Sequence, residues 1–208
     1  MTPPTGAVLL ASGGMDSTTL AYWLVRNGVE FVPLFIDYGQ HCVDREYECF
    51  KALLPPSALP AAARISVPDV YRGSRSRLIE EADLWTEQVK ADDMYLPYRN
   101  LLLLTIGAAF AQGRGLRHLY TAFINSNHAK EIDCSAAFFQ ELGRVLSSYG
   151  GVEVVMPFRQ MTKGEVAQIG IELGVPIAST YSCQVASKVP CGACPNCVDR
   201  LEAIRSLG

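Results

Sequence analysis

The sequence predicts an α/β fold, a Rossmann-like parallel sheet of five strands with helices on both faces. Short apolar runs alternate with amphipathic stretches of helical spacing along most of the chain. Continuous apolar runs of this length are typical of strands that are buried on both faces. Strands that alternate with helices favour a parallel sheet, because each parallel connection needs a crossover.

Each element is predicted from its own pattern. Five apolar runs are predicted as strands, over residues 7–11, 31–37, 63–67, 118–123 and 152–156. Helical spacing predicts helices over residues 16–27, 43–54, 100–112, 134–148, 163–173 and 198–207. Residues 69–99 have little periodicity, and we predict a long, mobile surface segment of the kind that often carries function.

Composition narrows the class of protein. A chain of 208 residues with 49% hydrophobic residues can bury a sizeable core, so a disordered chain is excluded. A net charge of −3 argues against a protein that wraps a nucleic-acid backbone. The longest apolar run, 101–111, is about half the ~20 residues that span a bilayer, and no basic leader precedes the first strand. We therefore expect a cytoplasmic protein without a membrane partner.

The first predicted strand runs directly into residues 12–17, SGGMDS, and a helix follows. Two glycines permit a tight turn, and the start of the helix presents free N–H groups and a positive dipole end. This combination favours a phosphate site. The alternative is an ordinary strand-to-helix turn with a capping Asp or Ser.

Four of the seven cysteines lie close together near the C-terminus, at Cys183, Cys191, Cys194 and Cys197. Thiolates at this spacing can close a tetrahedral zinc site. An iron–sulfur cluster and inert buried thiols are the alternatives. The other three cysteines are predicted to be separate thiols, with Cys49 packed in a helix.

Four motifs, taken together, resemble one enzyme family. SGGMDS is similar to the SGGxDS signature of the PP-loop ATP pyrophosphatases, the adenine nucleotide alpha-hydrolase type of fold. DYGQ at 37–40, PYRN at 97–100, and YSC at 181–183 leading into CGACPNC at 191–197 follow in order. This series, spanning residues 8 to 200, resembles the QueC-like family of 7-cyano-7-deazaguanine synthases.

The resemblance implies a function in queuosine biosynthesis. Such enzymes adenylate 7-carboxy-7-deazaguanine with ATP and Mg²⁺, and ammonia then leads to 7-cyano-7-deazaguanine (preQ0). It implies a PP-loop domain at 1–178, a zinc-binding C-terminal segment at 179–208 with structural Zn²⁺ on the four clustered cysteines, and a homodimer. It also implies that the pyrophosphate part of ATP is held by the first turn, at Ser12, Gly13, Gly14, Asp16 and Ser17.

Basic and polar residues of the other motifs are the remaining candidates. Lys163 and Arg99 match family cations and are predicted to balance the charge of the departing pyrophosphate; the alternatives are a solvated helix-start lysine and a surface arginine. Asp37 is predicted to contact nucleotide or metal, with a role as a strand-end cap as the alternative. Tyr38 and Gln40 are predicted to bind nucleotide on the same grounds.

The sequence departs from the family pattern in two places. His41 lies one place early in comparison with the family histidine, and a structural role is its alternative. The stretch 121–138 is largely rewritten, although its end, which includes Asp133, fits the family's deazapurine-binding stretch. Asn100, Asp133 and His41 are predicted to contact the substrate.

Four functions remain open at this point. The first is a nitrile-forming synthase that uses free ammonia. The second is a diverged ligase that stops at the amide or transfers the deazaguanine acyl group to another amine, such as a protein. The third is an ATP-dependent tRNA-thiolating enzyme, which the acidic composition disfavours. The fourth is a nucleotide-binding regulator without catalysis.

Overall fold

The computed structural model of the chain describes residues 6–83, 86–124, 134–183 and 190–205. Among the predicted site residues, Asp133 lies outside the described residues. Within the described part, no helix is long and apolar enough to cross a membrane.

Five parallel strands form one sheet, as the sequence predicts. The strands are β1 (Ala7–Leu10), β2 (Phe31–Asp37), β3 (Ala63–Ser66), β4 (His118–Tyr120) and β5 (Glu153–Val155). Their order across the sheet is β3-β2-β1-β4-β5, and all four pairings are parallel. The central strand β1 has Val8 opposite Val32 on one side and Leu119 on the other. The predicted α/β architecture is confirmed.

In the described part of the chain, six α-helices connect and cover the strands. They are α1 (Met15–Arg26), α2 (Val43–Leu53), α3 (Arg99–Gln112), α4 (Ala136–Gly150), α5 (Lys163–Glu172) and α6 (Pro195–Arg205). Short 3₁₀ helices lie at Leu59–Ala61, Pro68–Tyr71, Ala91–Met94 and Ile177–Ser179. The last α-helix begins three residues earlier than predicted, because Pro195 suits the first turn of a helix, where its missing N–H costs nothing.

Alternating side chains of β1 pack into two cores on opposite faces of the sheet. Leu9 packs with apolar residues of α1, α2 and α5, including Leu20, Phe50 and Val166. Val8 packs with residues of α3 and α4. Helices on both faces exclude water from the strands, which explains why the strand sequences are continuously apolar.

The strand order reverses direction beside β1. From β1 the chain proceeds outward through β2 to β3, and it then returns to place β4 on the other side of β1. In open parallel sheets, the crevice at the carboxyl ends of the two strands flanking such a switch point is the usual ligand site. The turn after β1 and the chain after β4 border this crevice.

The segment between β3 and α3 is partly buried. Leu78 and Leu96 are almost inaccessible to solvent and pack against Tyr38. The carbonyl of Leu78 also accepts a hydrogen bond from the backbone N–H of His41 at 3.0 Å. The prediction of a surface segment over 69–99 is therefore wrong for these two leucines, which attach the segment to the chain that follows β2.

Candidate active site and metal centre

The turn after β1 is a backbone loop packed tightly on α2. Gly13 has a φ of +78°, and a Cβ added there would lie 2.6 Å from the backbone N of Phe50 and 2.8 Å from the carbonyl O of Glu46. Gly14, with extended backbone, immediately precedes α1. The first N–H groups of α1 therefore open toward the carboxyl edge of the sheet, which is the arrangement that binds phosphate groups.

Two serines stabilise the loop by hydrogen bonds across it. The Ser17 hydroxyl accepts from the backbone N–H of Ser12 at 3.2 Å and donates to the carbonyl of Gly14 at 3.2 Å. The Ser12 hydroxyl accepts from the N–H of Gly14 at 3.3 Å. The side chains of the motif thus hold its backbone in one conformation, and a preorganised loop would lower the entropy cost of binding a phosphate group.

Gly13→Ala is expected to destabilise the protein and weaken nucleotide binding. The new Cβ would overlap the backbone of α2, and the left-handed conformation alone costs an alanine about 1–2 kcal/mol. Gly28→Ala is the matched control, since Gly28 has a φ of +69° and a Cβ there would meet nothing within 4 Å. Chemical denaturation would measure both variants, and equal losses of unfolding free energy would contradict the predicted overlap.

Asp16 and Lys163 form an ion pair at the end of the loop. The Nζ of Lys163, the first residue of α5, lies 3.6 Å from Oδ2 of Asp16. Burial raises the pKa of Asp16; Lys163 lowers it in part, and the charge of Asp199 raises it further. The other carboxylate oxygen, Oδ1, is buried without a hydrogen-bond partner in the described part of the chain. Lys163 therefore brings a cation to the end of the loop after β1.

The Asp37 carboxylate is held by three donors at the end of β2. Its Oδ2 accepts from Ser66 at 2.6 Å and from the Arg64 guanidinium at 2.8 Å, and its Oδ1 accepts from the N–H of Gly39 at 3.0 Å. Burial raises the pKa of Asp37, but these hydrogen bonds outweigh burial, so the pKa lies below its usual value. The contacts connect β2 to β3 at the edge of the site.

The side-chain amide of Gln40 forms hydrogen bonds with nearby residues of the chain. Its Oε1 accepts from the N–H of Tyr38 at 2.8 Å, and its Nε2 donates to Ile36 at 3.3 Å and to the Glu46 carboxylate at 2.9 Å. Burial, followed by the nearby charge of Glu46, raises the pKa of Tyr38 and keeps its hydroxyl protonated. Gln40 therefore shapes the turn after β2, with its donors already paired.

Arg99 and Asn100 are the first two residues of α3. The charge of Arg99 acts on both Tyr38 and Glu46, and it lowers the pKa of each against the larger effect of burial. Asn100 is buried, and its Nδ2 donates to the sulfur of Cys134 at 2.8 Å. Arg99 therefore acts on residues after β2, and Asn100 bonds to Cys134 just before α4.

His41 is half-buried, and neither ring nitrogen has a hydrogen-bond partner among the described residues. The backbone N–H of His41, by contrast, donates to the carbonyl of Leu78. The structure thus places His41 on the chain after β2, beside Leu78, and its contact with substrate stays a prediction.

The four clustered cysteines converge on one point. Their sulfur atoms all lie within 4.8 Å of one another, and those of Cys191 and Cys197 are 3.9 Å apart. Zn–S bonds of about 2.3 Å at tetrahedral angles put sulfurs about 3.8 Å apart. The donor set therefore fits a structural zinc ion, and a closed site of four sulfurs leaves no open coordination position for a substrate.

Two of the three remaining cysteines pack beside the four clustered thiols. Cys42 and Cys49 are buried and pack in the same cluster as the four clustered thiols. Burial raises the pKa of both thiols, so they are protonated packing residues. Neither belongs to the four converging sulfurs, and Cys49 packs from α2 as the sequence predicts. Cys134 lies apart, at Asn100.

Sequence reasoning missed three residues that hold the site together. Glu46 orients Gln40, Arg64 holds Asp37, and Arg200 bonds to residues 177–180. Arg64 and Arg200 act on partners distant in the sequence, Glu46 acts on a residue six positions before it, and none of the three belongs to a recognised motif. A charged residue on the inner side of an amphipathic helix, such as Glu46 in α2, was the available signal.

Comparison with known proteins identifies the family. The family model for "Queuosine biosynthesis protein QueC" matches residues 6–208. Relatives named 7-cyano-7-deazaguanine synthase include the protein of Haloarcula marismortui, 33% identical over 100% of this chain and 94% of its own length. That of Methanospirillum hungatei is 32% identical over 97% of this chain and 96% of its own length.

A solved structure with a similar fold has little sequence in common with the chain. It is a predicted subunit of tRNA methyltransferase from Methanocaldococcus jannaschii, with a TM-score of 0.49 and 13% identity, covering 86% of this chain and 92% of that one. The family assignment depends instead on the match along residues 6–208 and on full-length relatives above 30% identity. The chain belongs to the QueC family of queuosine biosynthesis proteins.

Proposed function

We propose that this chain is an ATP-dependent ligase that converts 7-carboxy-7-deazaguanine and ammonia into 7-cyano-7-deazaguanine. The observation that carries the proposal is the preformed phosphate loop with the Asp16–Lys163 pair at its end. The names of the full-length relatives support the product, and the family resemblance implies the acid substrate. The AMP and pyrophosphate products follow from adenylation.

The proposed chemistry has two activation steps. A carboxylate oxygen of the acid attacks the α-phosphorus of ATP, pyrophosphate leaves, and an acyl-adenylate forms. Ammonia attacks the acyl carbon, AMP leaves with the carbon–oxygen bond electrons, and a proton is lost to give the amide. The amide oxygen is then adenylated by a second ATP, and loss of AMP and protons gives the nitrile.

The chain's own residues would bind and orient in these steps. The loop N–H groups and the Ser12 and Ser17 hydroxyls surround the pyrophosphate, and Lys163 and Arg99 balance its charge as it departs. Mg²⁺, when bound with ATP, would supply further charge neutralisation at the phosphates. The unpartnered Oδ1 of Asp16 is an oxygen donor of the kind that Mg²⁺ prefers.

We also propose two functional parts within the chain. Residues 1–178 form the PP-loop ATP pyrophosphatase domain, and residues 179–208 form a zinc-binding segment whose helix packs on it. Contacts of α6 with α5 and the burial of Cys194 and Cys197 support this division. The zinc would be structural, because its four ligands are sulfurs of the chain.

A second candidate function concerns the acceptor. The stretch 121–138 differs from the family pattern, whereas the phosphate loop keeps its signature in full. A diverged ligase that stops at the amide, or transfers the acyl group to another amine such as a protein, would have this combination. Both candidates share adenylation of the deazapurine acid.

One assay distinguishes the candidates. Purified protein is incubated with ATP, Mg²⁺, 7-carboxy-7-deazaguanine and ammonium, while mass spectrometry follows the products and pyrophosphate release is measured. We expect nitrile and about two pyrophosphates per product, one for each activation. Amide alone, or turnover only with another amine, would favour the second candidate. If no acceptor supports pyrophosphate release, both ligase functions are wrong.

A further inference from the structure

Arg200 is an interior arginine with a specific set of partners. Only 8% of the residue is exposed. Its Nη2 donates to the carbonyls of Ile177 at 2.8 Å and Ala178 at 3.0 Å, and its Nε donates to the Thr180 hydroxyl at 3.3 Å. A buried guanidinium is costly unless its donors are satisfied. These bonds fix α6 to the stretch 177–180.

The next residue of this stretch touches the phosphate loop. The backbone N–H of Tyr181 donates to the carbonyl of Gly13 at 3.2 Å. The carbonyl of Tyr181 faces Gly14, where an added Cβ would lie 3.5 Å from it. The position of residues 177–181 therefore determines where the two loop glycines lie, and a shift there would move the N–H groups that face the phosphates.

The metal centre and Arg200 hold the same two elements at different points. Cys183 follows Tyr181 by two residues, and Cys197 precedes Arg200 by three, about one turn of α6. Both sulfurs belong to the four-thiol cluster. The chain from 177 to 183 and the helix α6 are thus joined once through the cysteines and once through the guanidinium.

We propose that Arg200 is a positioning residue for ATP binding, because it holds residues 177–180 so that the Tyr181 N–H keeps Gly13 and the phosphate loop in the binding conformation. The inference rests on the proposed ATP-dependent function and deepens it. Arg200 acts through the backbone, so the chemistry of the reacting atoms does not depend on it directly. The four cysteines make only one of the two connections between this stretch and α6, so Arg200 is needed to hold residues 177–180.

The test measures nucleotide binding and metal content separately. Arg200→Gln and Arg200→Lys are compared with the wild-type protein by calorimetric titration with a nonhydrolysable ATP analogue and Mg²⁺, and zinc is determined by elemental analysis. We expect Arg200→Gln to keep its zinc and to bind the analogue about tenfold more weakly, within the usual range for coupled sites. Lysine cannot reproduce the planar fork of donors, so Arg200→Lys should bind less well than the wild type.

Arg205→Gln is the matched control. Arg205 is exposed and lies on the same helix, and its replacement should change the dissociation constant by less than about twofold, as for most surface changes. In steady state, Arg200→Gln should raise the KM for ATP more than it lowers kcat. A lower kcat with unchanged KM and unchanged analogue affinity would overturn the proposal.

Thr180→Val keeps the test decisive if both Arg200 variants fail to fold. It removes one acceptor of Arg200 and the hydroxyl's own bond to the carbonyl of Ile177 at 2.7 Å, at nearly constant side-chain volume. We expect analogue binding about threefold weaker with zinc retained. Wild-type affinity in a folded, zinc-loaded Arg200→Gln or Thr180→Val protein would overturn the positioning role alone. A wild-type protein that does not bind the analogue would instead refute the ATP-dependent function.

Discussion

Lys163→Met is expected to lower kcat/KM for ATP by about 10²–10³-fold, the usual loss when one preorganised charge-stabilising donor is removed. Lys163 lies 3.6 Å from Asp16 beside the phosphate loop, so its cation is available where negative charge develops on pyrophosphate. Methionine keeps the length and the apolar stem of lysine but removes the charge. Pyrophosphate release with saturating deazapurine acid and ammonium measures the effect.

Lys51→Met is the control for this prediction. Lys51 is exposed near the end of α2, where its Nζ lies 4.7 Å from the centre of the Tyr47 ring. We expect its replacement to leave ATP turnover unchanged.

Asp16→Ala is expected to abolish ATP consumption while the fold stays intact by circular dichroism. Undiminished pyrophosphate release in both Lys163→Met and Asp16→Ala would contradict the assignment of the loop.

Cys197→Ser is expected to lose the metal and to lower the melting temperature substantially. The Cys197 sulfur is buried, and its cluster packs directly on α2, so an empty site would loosen a part of the core. A loss of about 4–5 kcal/mol would lower the melting temperature by about 10–15 °C in a chain of this size. Elemental analysis and differential scanning calorimetry measure the two effects.

Cys134→Ser tests whether the effect belongs to the cluster. Its sulfur accepts from Asn100, away from the four clustered thiols, so the variant should keep one zinc per chain and nearly the wild-type melting temperature. If the wild-type protein contains iron and absorbs visible light, the four cysteines hold an iron–sulfur cluster and not zinc. Full metal content in Cys197→Ser would show that Cys197 is not a ligand.

The fold was largely predictable, because its strands are short apolar runs that only a sheet covered on both faces can bury. The alternation of Val8 and Leu9 between two cores is a direct result of the two-residue period of a strand. The burial of Leu78 and Leu96 was not predictable, since their partner Tyr38 is far away in the sequence. Isolated leucines in an aperiodic segment carry no local signal of such a contact.

Residues of the candidate site could be found from the sequence where they belong to one contiguous motif. Contacts between distant segments could not be found in this way. SGGMDS and the clustered cysteines each lie in one short stretch, so their patterns indicated a phosphate site and a metal site, and the family resemblance then favoured these interpretations over their alternatives. Arg64 reaches Asp37 across neighbouring strands, and Arg200 reaches Ile177 from the last helix. Asp37 was predicted to contact nucleotide or metal, but a sequence does not reveal that three donors within the chain already occupy its carboxylate.

The switch point beside β1 has an evolutionary consequence. The contacts that shape the loop after β1 come from α2, Tyr181 and the loop itself. The stretch that departs from the family pattern comes after β4 in the sequence, and β4 pairs with the opposite side of β1 from β2. Mutations can therefore accumulate after β4 while selection preserves the loop. If the chain uses ATP as proposed, its acceptor can change one substitution at a time while ATP use is kept.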